Sequence, residues 1–98
     1  MRYIKVKWIH TPKEVGEPVW LFSEIDDEGW ELRKVEVFGD GTLQYADKEY
    51  QTGDTKLGLE PLPSLDAINI QKGFEAFEIS KSEFDEVWQT AHSKGKDK

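Results

Sequence analysis

The sequence predicts an α+β domain: an antiparallel β-meander of about four strands, with one face covered by a C-terminal α-helix. Three observations carry this. Apolar residues alternate with polar ones through the first half of the chain. Glycine-rich turn signals cut that half into strand-length pieces. A capping sequence followed by a helical apolar stripe occupies the end.

The first strand is residues 2–10. Ile4, Val6 and Trp8 share one face, and Tyr3, Lys5 and Lys7 the other, the pattern of a half-buried strand. Thr11-Pro12 opens a loop that Gly16 and Pro18 keep irregular. Residues 19–25, Val-Trp-Leu-Phe-Ser-Glu-Ile, form a more apolar strand placed at the centre of the sheet. Asp26-Asp27-Glu28-Gly29 is the turn to a third strand over 30–38. In that strand Trp30 and Leu32 have one parity and Val35 and Val37 the other. The face therefore switches near Arg33-Lys34, which implies a β-bulge or a strand covered on both sides. Gly39-Asp40-Gly41 is a hairpin signal. Residues 42–46, with Leu43 and Tyr45 in phase, complete the meander.

Residues 47–63 carry Gly53, Gly58, Pro61 and Pro63 and read as a long loop, of the kind that is either functional or poorly ordered. Ser64 caps a short extra helix over 65–70, and Phe74, Phe77 and Ile79 lie in a short extended connection. Ser80-Lys81-Ser82-Glu83 fits a capping box. Phe84, Val87, Trp88 and Ala91 then fall at i, i+3, i+4 and i+7, a stripe that must lie on the sheet. There is no internal repeat and no second domain. Residues 1–93 are read as one domain and 94–98 as a flexible Lys-rich tail.

Composition narrows the function classes. The 98 residues include 12% aromatics, with Trp8, Trp20, Trp30 and Trp88 among them. Each large ring can bury ~150–250 Å², so a core is available at this length. The absence of cysteine excludes disulfides, thiolate metal sites and a Cys nucleophile. No apolar run reaches the ~18 residues needed to cross a bilayer. Met1-Arg2 leads into charged strand-like sequence, unlike the apolar core of a signal peptide. The expected compartment is the cytoplasm.

The charge is −7, from 20 acids against 13 bases. Without the tail, residues 1–93 hold 19 acids and 10 bases, a net of −9. Residues 14–32 contain Glu14, Glu17, Glu24, Asp26, Asp27, Glu28 and Glu31 with no Lys or Arg. Such a segment repels phosphate, so no nucleic-acid partner is expected. A basic protein would be attracted and steered to it. The competing reading is a solvated acidic loop that aids solubility.

Catalytic signals are weak. The two histidines, His10 and His92, end the first strand and the last helix, so no metal site and no cofactor is expected. His92 reads as a cation-capable residue near a helix C-terminus. His10 reads as structural, bonded to an acidic neighbour or touching a partner. Residues 26–29 lack the alternating acids of a calcium loop. No nucleophile elbow, phosphate loop or dinucleotide fingerprint occurs, and among 20 acids some close carboxylate pair is inevitable. The chain is read as a non-enzyme. Arg33 and Lys34 are expected to pair across strands with Glu24 or Asp26, or to position those carboxylates for a partner.

Trp8-Ile9-His10, Pro18-Val-Trp-Leu-Phe-Ser-Glu-Ile-Asp26, Glu31-Leu-Arg-Lys-Val-Glu36, Asp40-Gly41, Tyr45-Ala46-Asp47 and the closing Ile79-Ser-Lys-Ser-Glu-Phe84 with Trp88 resemble a small, mostly uncharacterised bacterial domain family. Some of its members look like immunity proteins of contact-dependent growth inhibition systems. The resemblance implies a cytoplasmic antitoxin, without catalytic motif, that binds a cognate toxin. Many such toxins are nucleases, and the leading expectation is a ribonuclease whose basic cleft the inhibitor covers with acids. Glu24, Asp26, Asp27, Glu28 and Glu31 are then the electrostatic footprint. Trp20, Trp30 or Tyr45, whichever is not buried, supplies an aromatic anchor. The expected complex is a monomer bound 1:1 to toxin, with no membrane partner. Two alternatives stand beside it: a regulatory or protein-binding module whose partner is unrelated to toxins, and a small enzyme using carboxylates.

Overall fold

A computed structural model describes residues 1–8, 18–39, 41–49, 57, 62, 64–70 and 73–96, with backbone alone at 18 and 94–96. The expectations for His10, and most of those for 47–63, lie outside the described residues.

The chain runs β1 (Arg2–Trp8), β2 (Pro18–Ile25), β3 (Glu31–Phe38), β4 (Leu43–Ala46), α1 (Leu65–Ile70), β5 (Phe74–Ile79) and α2 (Lys81–Lys96). The strands form one sheet in the order β4-β3-β2-β1-β5, with every neighbour antiparallel. The α+β class, the meander, the central second strand and the helix on the sheet are all present. The fifth strand is an addition. Residues 74–79, read from sequence as a connection, pair along β1 from Trp8↔Phe74 to Tyr3↔Ile79.

The two sheet faces differ. On one, Ile4 and Val6 of β1 join Ala76 of β5 and Ile68 of α1, with Trp8, Leu21, Leu62, Leu65 and Phe74 packed around them. On the other, Val35, Tyr45 and Ala91 are buried together, with Phe22, Val37, Leu43, Val87 and Trp88 against them. The helix α2 lies on this second face, and the stripe of Phe84, Val87, Trp88 and Ala91 is the side it turns inward. Phe84 and Ala91 are fully buried. Ser80 Oγ accepts from Glu83 N–H at 3.1 Å, and Ser64 Oγ accepts from Ala67 N–H at 3.2 Å, so both N-caps are formed; of the expected capping box only the Ser80 half is made, the Glu83 carboxylate going to Lys5 Nζ at 3.0 Å instead. The α2 backbone stays helical through Lys96. A single glycine, Gly95, weakens a helix without ending it, so the region read as tail begins inside the helix.

The parity switch in β3 is a bulge one to two residues before Arg33-Lys34. Glu24 pairs with Arg33 and Ile25 with Glu31, which leaves Leu32 as the extra residue. Beyond it Arg33, Val35 and Val37 face α2, in register with Glu24, Phe22 and Trp20. One inserted residue thus places the Arg33 side chain on the same face as Glu24.

Candidate functional site

The acids of the cation-free stretch separate into two groups. Glu24 is only 8% exposed. Arg33 donates to it twice, Nε to Oε1 and Nη2 to Oε2, each at 2.8 Å. This two-pronged geometry is strong because both bonds are charge-assisted. Arg33 Nη2 also reaches Asp85 Oδ1 at 3.2 Å, and Lys81 Nζ holds Asp85 Oδ2 at 2.7 Å. The guanidinium carbon lies 4.8 Å from the Phe84 ring centroid and 5.1 Å from that of Trp88, where it gains cation–π attraction. Hydrogen bonding from Arg33 holds the Glu24 carboxyl below its ordinary range, against the opposing effect of burial. Burial, and then the bond to Glu24, push the Tyr3 hydroxyl pKa up. Glu31 is likewise 8% exposed and accepts from Ser23 Oγ at 2.8 Å, with Lys34 Nζ 4.0 Å away. These two carboxylates are bonded inside the fold.

The other group is the turn between β2 and β3. Asp26 Oδ1 accepts from the N–H groups of Glu28 and Trp30 at 2.9 and 3.0 Å. The backbone closes the same turn, with Gly29 N–H donating to Asp26 C=O and Asp26 N–H to Trp30 C=O, both at 3.0 Å. Gly29 has φ 93°, a region that glycine occupies without penalty. Leu62 N–H donates to Gly29 C=O at 2.8 Å, which ties the turn to a distant segment. Asp26 is half-buried because its carboxylate shapes the loop. Asp27 and Glu28 project into solvent. The partner of Asp27 is the terminal ammonium of Met1 at 3.5 Å, itself exposed. Trp30, closing the turn, is 40% exposed.

The three aromatic candidates also separate. Tyr45 is 6% exposed, with its ring stacked on His92 at 4.1 Å and edge-on to Trp88 at 5.3 Å. It is a core residue. His92 is packed into that cluster, and its buried Nε2 has no hydrogen-bond partner among the described residues. Trp20 sits on the α2 face of the sheet beside the helix. Its ring centroid is 6.4 Å from that of Phe77, which is 43% exposed. Lys5 Nζ lies 5.2 Å from the Trp20 centroid and Lys7 Nζ 5.9 Å. Lys5 also reaches Glu83 at 3.0 Å. This aromatic and cationic strip was not foreseen as a unit. Phe77 joins it only because β5 pairs with β1, which sets Phe77 opposite Lys5.

Among the described residues, no group of three or more His, Cys, Asp or Glu side chains is arranged to hold a metal ion. No helix there is long and apolar enough to cross a membrane. What the two surfaces can do chemically is present charge and aromatic area to another molecule. One is a rigid acidic turn ending in Trp30. The other is a strip of two rings flanked by Lys5 and Lys7.

Neither the curated proteins nor the solved structures contain a significant match to this chain. A family model does match, over residues 2–93, and by that match the chain belongs to an uncharacterised family described as a domain of unknown function, DUF6881.

Proposed function

We propose that this domain is a non-enzymatic immunity protein that binds and neutralises a cognate contact-dependent growth inhibition toxin, a basic ribonuclease, in the cytoplasm. The observation that carries the reading is the preorganised turn. Asp26 accepts two backbone N–H bonds and thereby holds Asp27 and Glu28 outward beside a half-exposed Trp30. Two carboxylates so placed can occupy positions that substrate phosphates would take in a basic cleft, with less backbone entropy lost on binding than from a flexible loop. Charge complementarity speeds the encounter, and Trp30 supplies the desolvated anchor. The footprint expected from sequence contracts accordingly to Asp27, Glu28 and Trp30, with Asp26 as their support. Glu24 and Glu31 belong to the framework beneath.

The test mixes the purified domain with the toxin encoded next to it and follows RNA cleavage. Inhibition that weakens with Asp27→Asn/Glu28→Gln and with added salt supports the reading. Undiminished cleavage together with separate elution of the two proteins on a sizing column refutes it.

The strip of Trp20, Phe77, Lys5 and Lys7 favours a second reading, a binding module whose partner is unrelated to toxins. Two lysines beside two aromatic rings suit an acidic partner better than a basic cleft. Trp20→Ala and Phe77→Ala separate the readings, because they abolish binding by the strip and leave toxin inhibition through the turn intact.

A further inference from the structure

Lys5 lies midway along β1, with Phe77 of β5 opposite it on one side and Phe22 of β2 on the other. Its Nζ is 5.2 Å from the Trp20 ring centroid and 5.9 Å from that of Phe77, and it donates to Glu83 Oε2 of α2 at 3.0 Å. One ammonium beside two rings thus already holds a carboxylate. The side chains involved reach solvent: Lys5 is 28% exposed and Glu83 45%, and Phe77 is 43% exposed. Lys7, on the same face, is exposed as well. Its Nζ lies 5.9 Å from the Trp20 centroid, and it makes no ion pair among the described residues.

The carboxylate on Lys5 can be exchanged. An exposed ion pair contributes little, because water screens it. In a completed capping box Glu83 turns back to the Ser80 N–H, so leaving Lys5 offers it a replacement bond. A carboxylate from another molecule can then take the Lys5 ammonium, with Lys7 as a second cation and the Trp20 and Phe77 rings as apolar area beside it. Glu75 stands opposite Lys7 in the β1–β5 register. The face therefore suits a short acidic peptide segment and disfavours a polyanion such as nucleic acid.

Building on the reading of the strip as a binding surface for an acidic partner, we propose that it docks an acidic peptide segment carrying an apolar side chain, and that Glu83 is its built-in competitor. Glu83 occupies Lys5 until a carboxylate of the segment displaces it. Affinity is lowered by the fraction of molecules in which Glu83 holds Lys5.

NMR titration of the full chain at low salt, with a capped peptide of four glutamates around one leucine, tests this. Saturable shifts are expected at the Lys5, Trp20 and Phe77 amides. Glu83→Gln is expected to bind about threefold more tightly than the wild type, the scale of releasing an exposed ion pair. Glu86→Gln, which removes the same charge at an exposed position one turn along α2, is expected to gain clearly less, and Lys5→Met to weaken binding. A Glu83→Gln protein that binds no more tightly than the wild type, or no more tightly than Glu86→Gln, overturns the competition and leaves the strip as a binding surface. The side-chain carboxyl signal of Glu83, followed in the wild type during the same titration, tests the exchange without any variant. It is expected to move as the peptide saturates, and an unmoved signal overturns the competition. Absence of saturable shifts at the strip in both the wild type and Glu83→Gln overturns the docking site together with the reading beneath it.

Discussion

Glu24 and Glu28 lie four residues apart in one acidic, cation-free stretch, yet they live in different physical surroundings. Glu24 is in β2, under α2, gripped by Arg33 and bonded to Tyr3. Glu28 is in the following turn, exposed, with its backbone fixed by Asp26. The first carboxylate is bonded to Arg33, which in turn reaches Asp85 of the helix. The second faces solvent. Net charge counts the two alike, and only the strand-side one is expected to matter for folding.

The largest test of this contrast is Arg33→Ala. It leaves Glu24 buried without its cation and removes the group that joins β3 to Asp85 of α2. Loss of about 3 kcal/mol of stability is expected in urea denaturation, the scale for uncovering one member of a buried pair. A loss no larger than that of a surface substitution would erase the distinction between the regions.

Glu24→Gln is next, at about 2 kcal/mol near neutral pH, and it carries a pH signature. The folded pKa of Glu24 lies below its ordinary 4.5. The unfolded state therefore takes up the proton first as pH falls. The wild type holds the full contribution above about 4.5 and loses it as pH drops through the lower folded value. Glu24→Gln should lack that part of the decline, so the two stability curves converge in acid. Parallel curves would show that Glu24 contributes nothing through its charge.

Asp26→Ala sharpens the turn side of the comparison. It removes two side-chain to backbone bonds and is expected to cost about 1 kcal/mol. It should also weaken the proposed binding of a toxin by loosening Asp27 and Glu28. The smallest expected stability change belongs to Asp27→Asn/Glu28→Gln, within about 0.5 kcal/mol of wild type by thermal melting. Its effect should appear in affinity and its salt dependence instead. A large fall in melting temperature would place these two acids in the framework with Glu24.

Much of the fold was legible because its signals are local. The alternation of Ile4, Val6 and Trp8, the caps Ser64 and Ser80, and the stripe ending at Ala91 each depend on neighbours within a few residues. β5 was not legible. In Phe-Glu-Ala-Phe-Glu-Ile the aromatic residues fall on both parities, so neither face stands out, and its partner β1 is some seventy residues earlier in the chain. Of the site, the acidic turn and Trp30 could be read, because Asp26, Gly29 and the flanking strands make a turn by themselves. The pairing of Arg33 with Glu24 was among the sequence alternatives, and the bulge at Leu32 realises it. The strip around Trp20 had no local signature.

The amino-acid sequence alone determined the α+β class, the positions of the turns and helix starts, and the excess of acid between residues 14 and 32, since these follow from periodicity, capping and composition. Tertiary structure decided which acids reach solvent, which tryptophan lies open, and where Phe77 meets Lys5. Those outcomes depend on strand register and on contacts between segments far apart in the chain. There, burial gives the same carboxylate a structural partner in one place and leaves it to water in another.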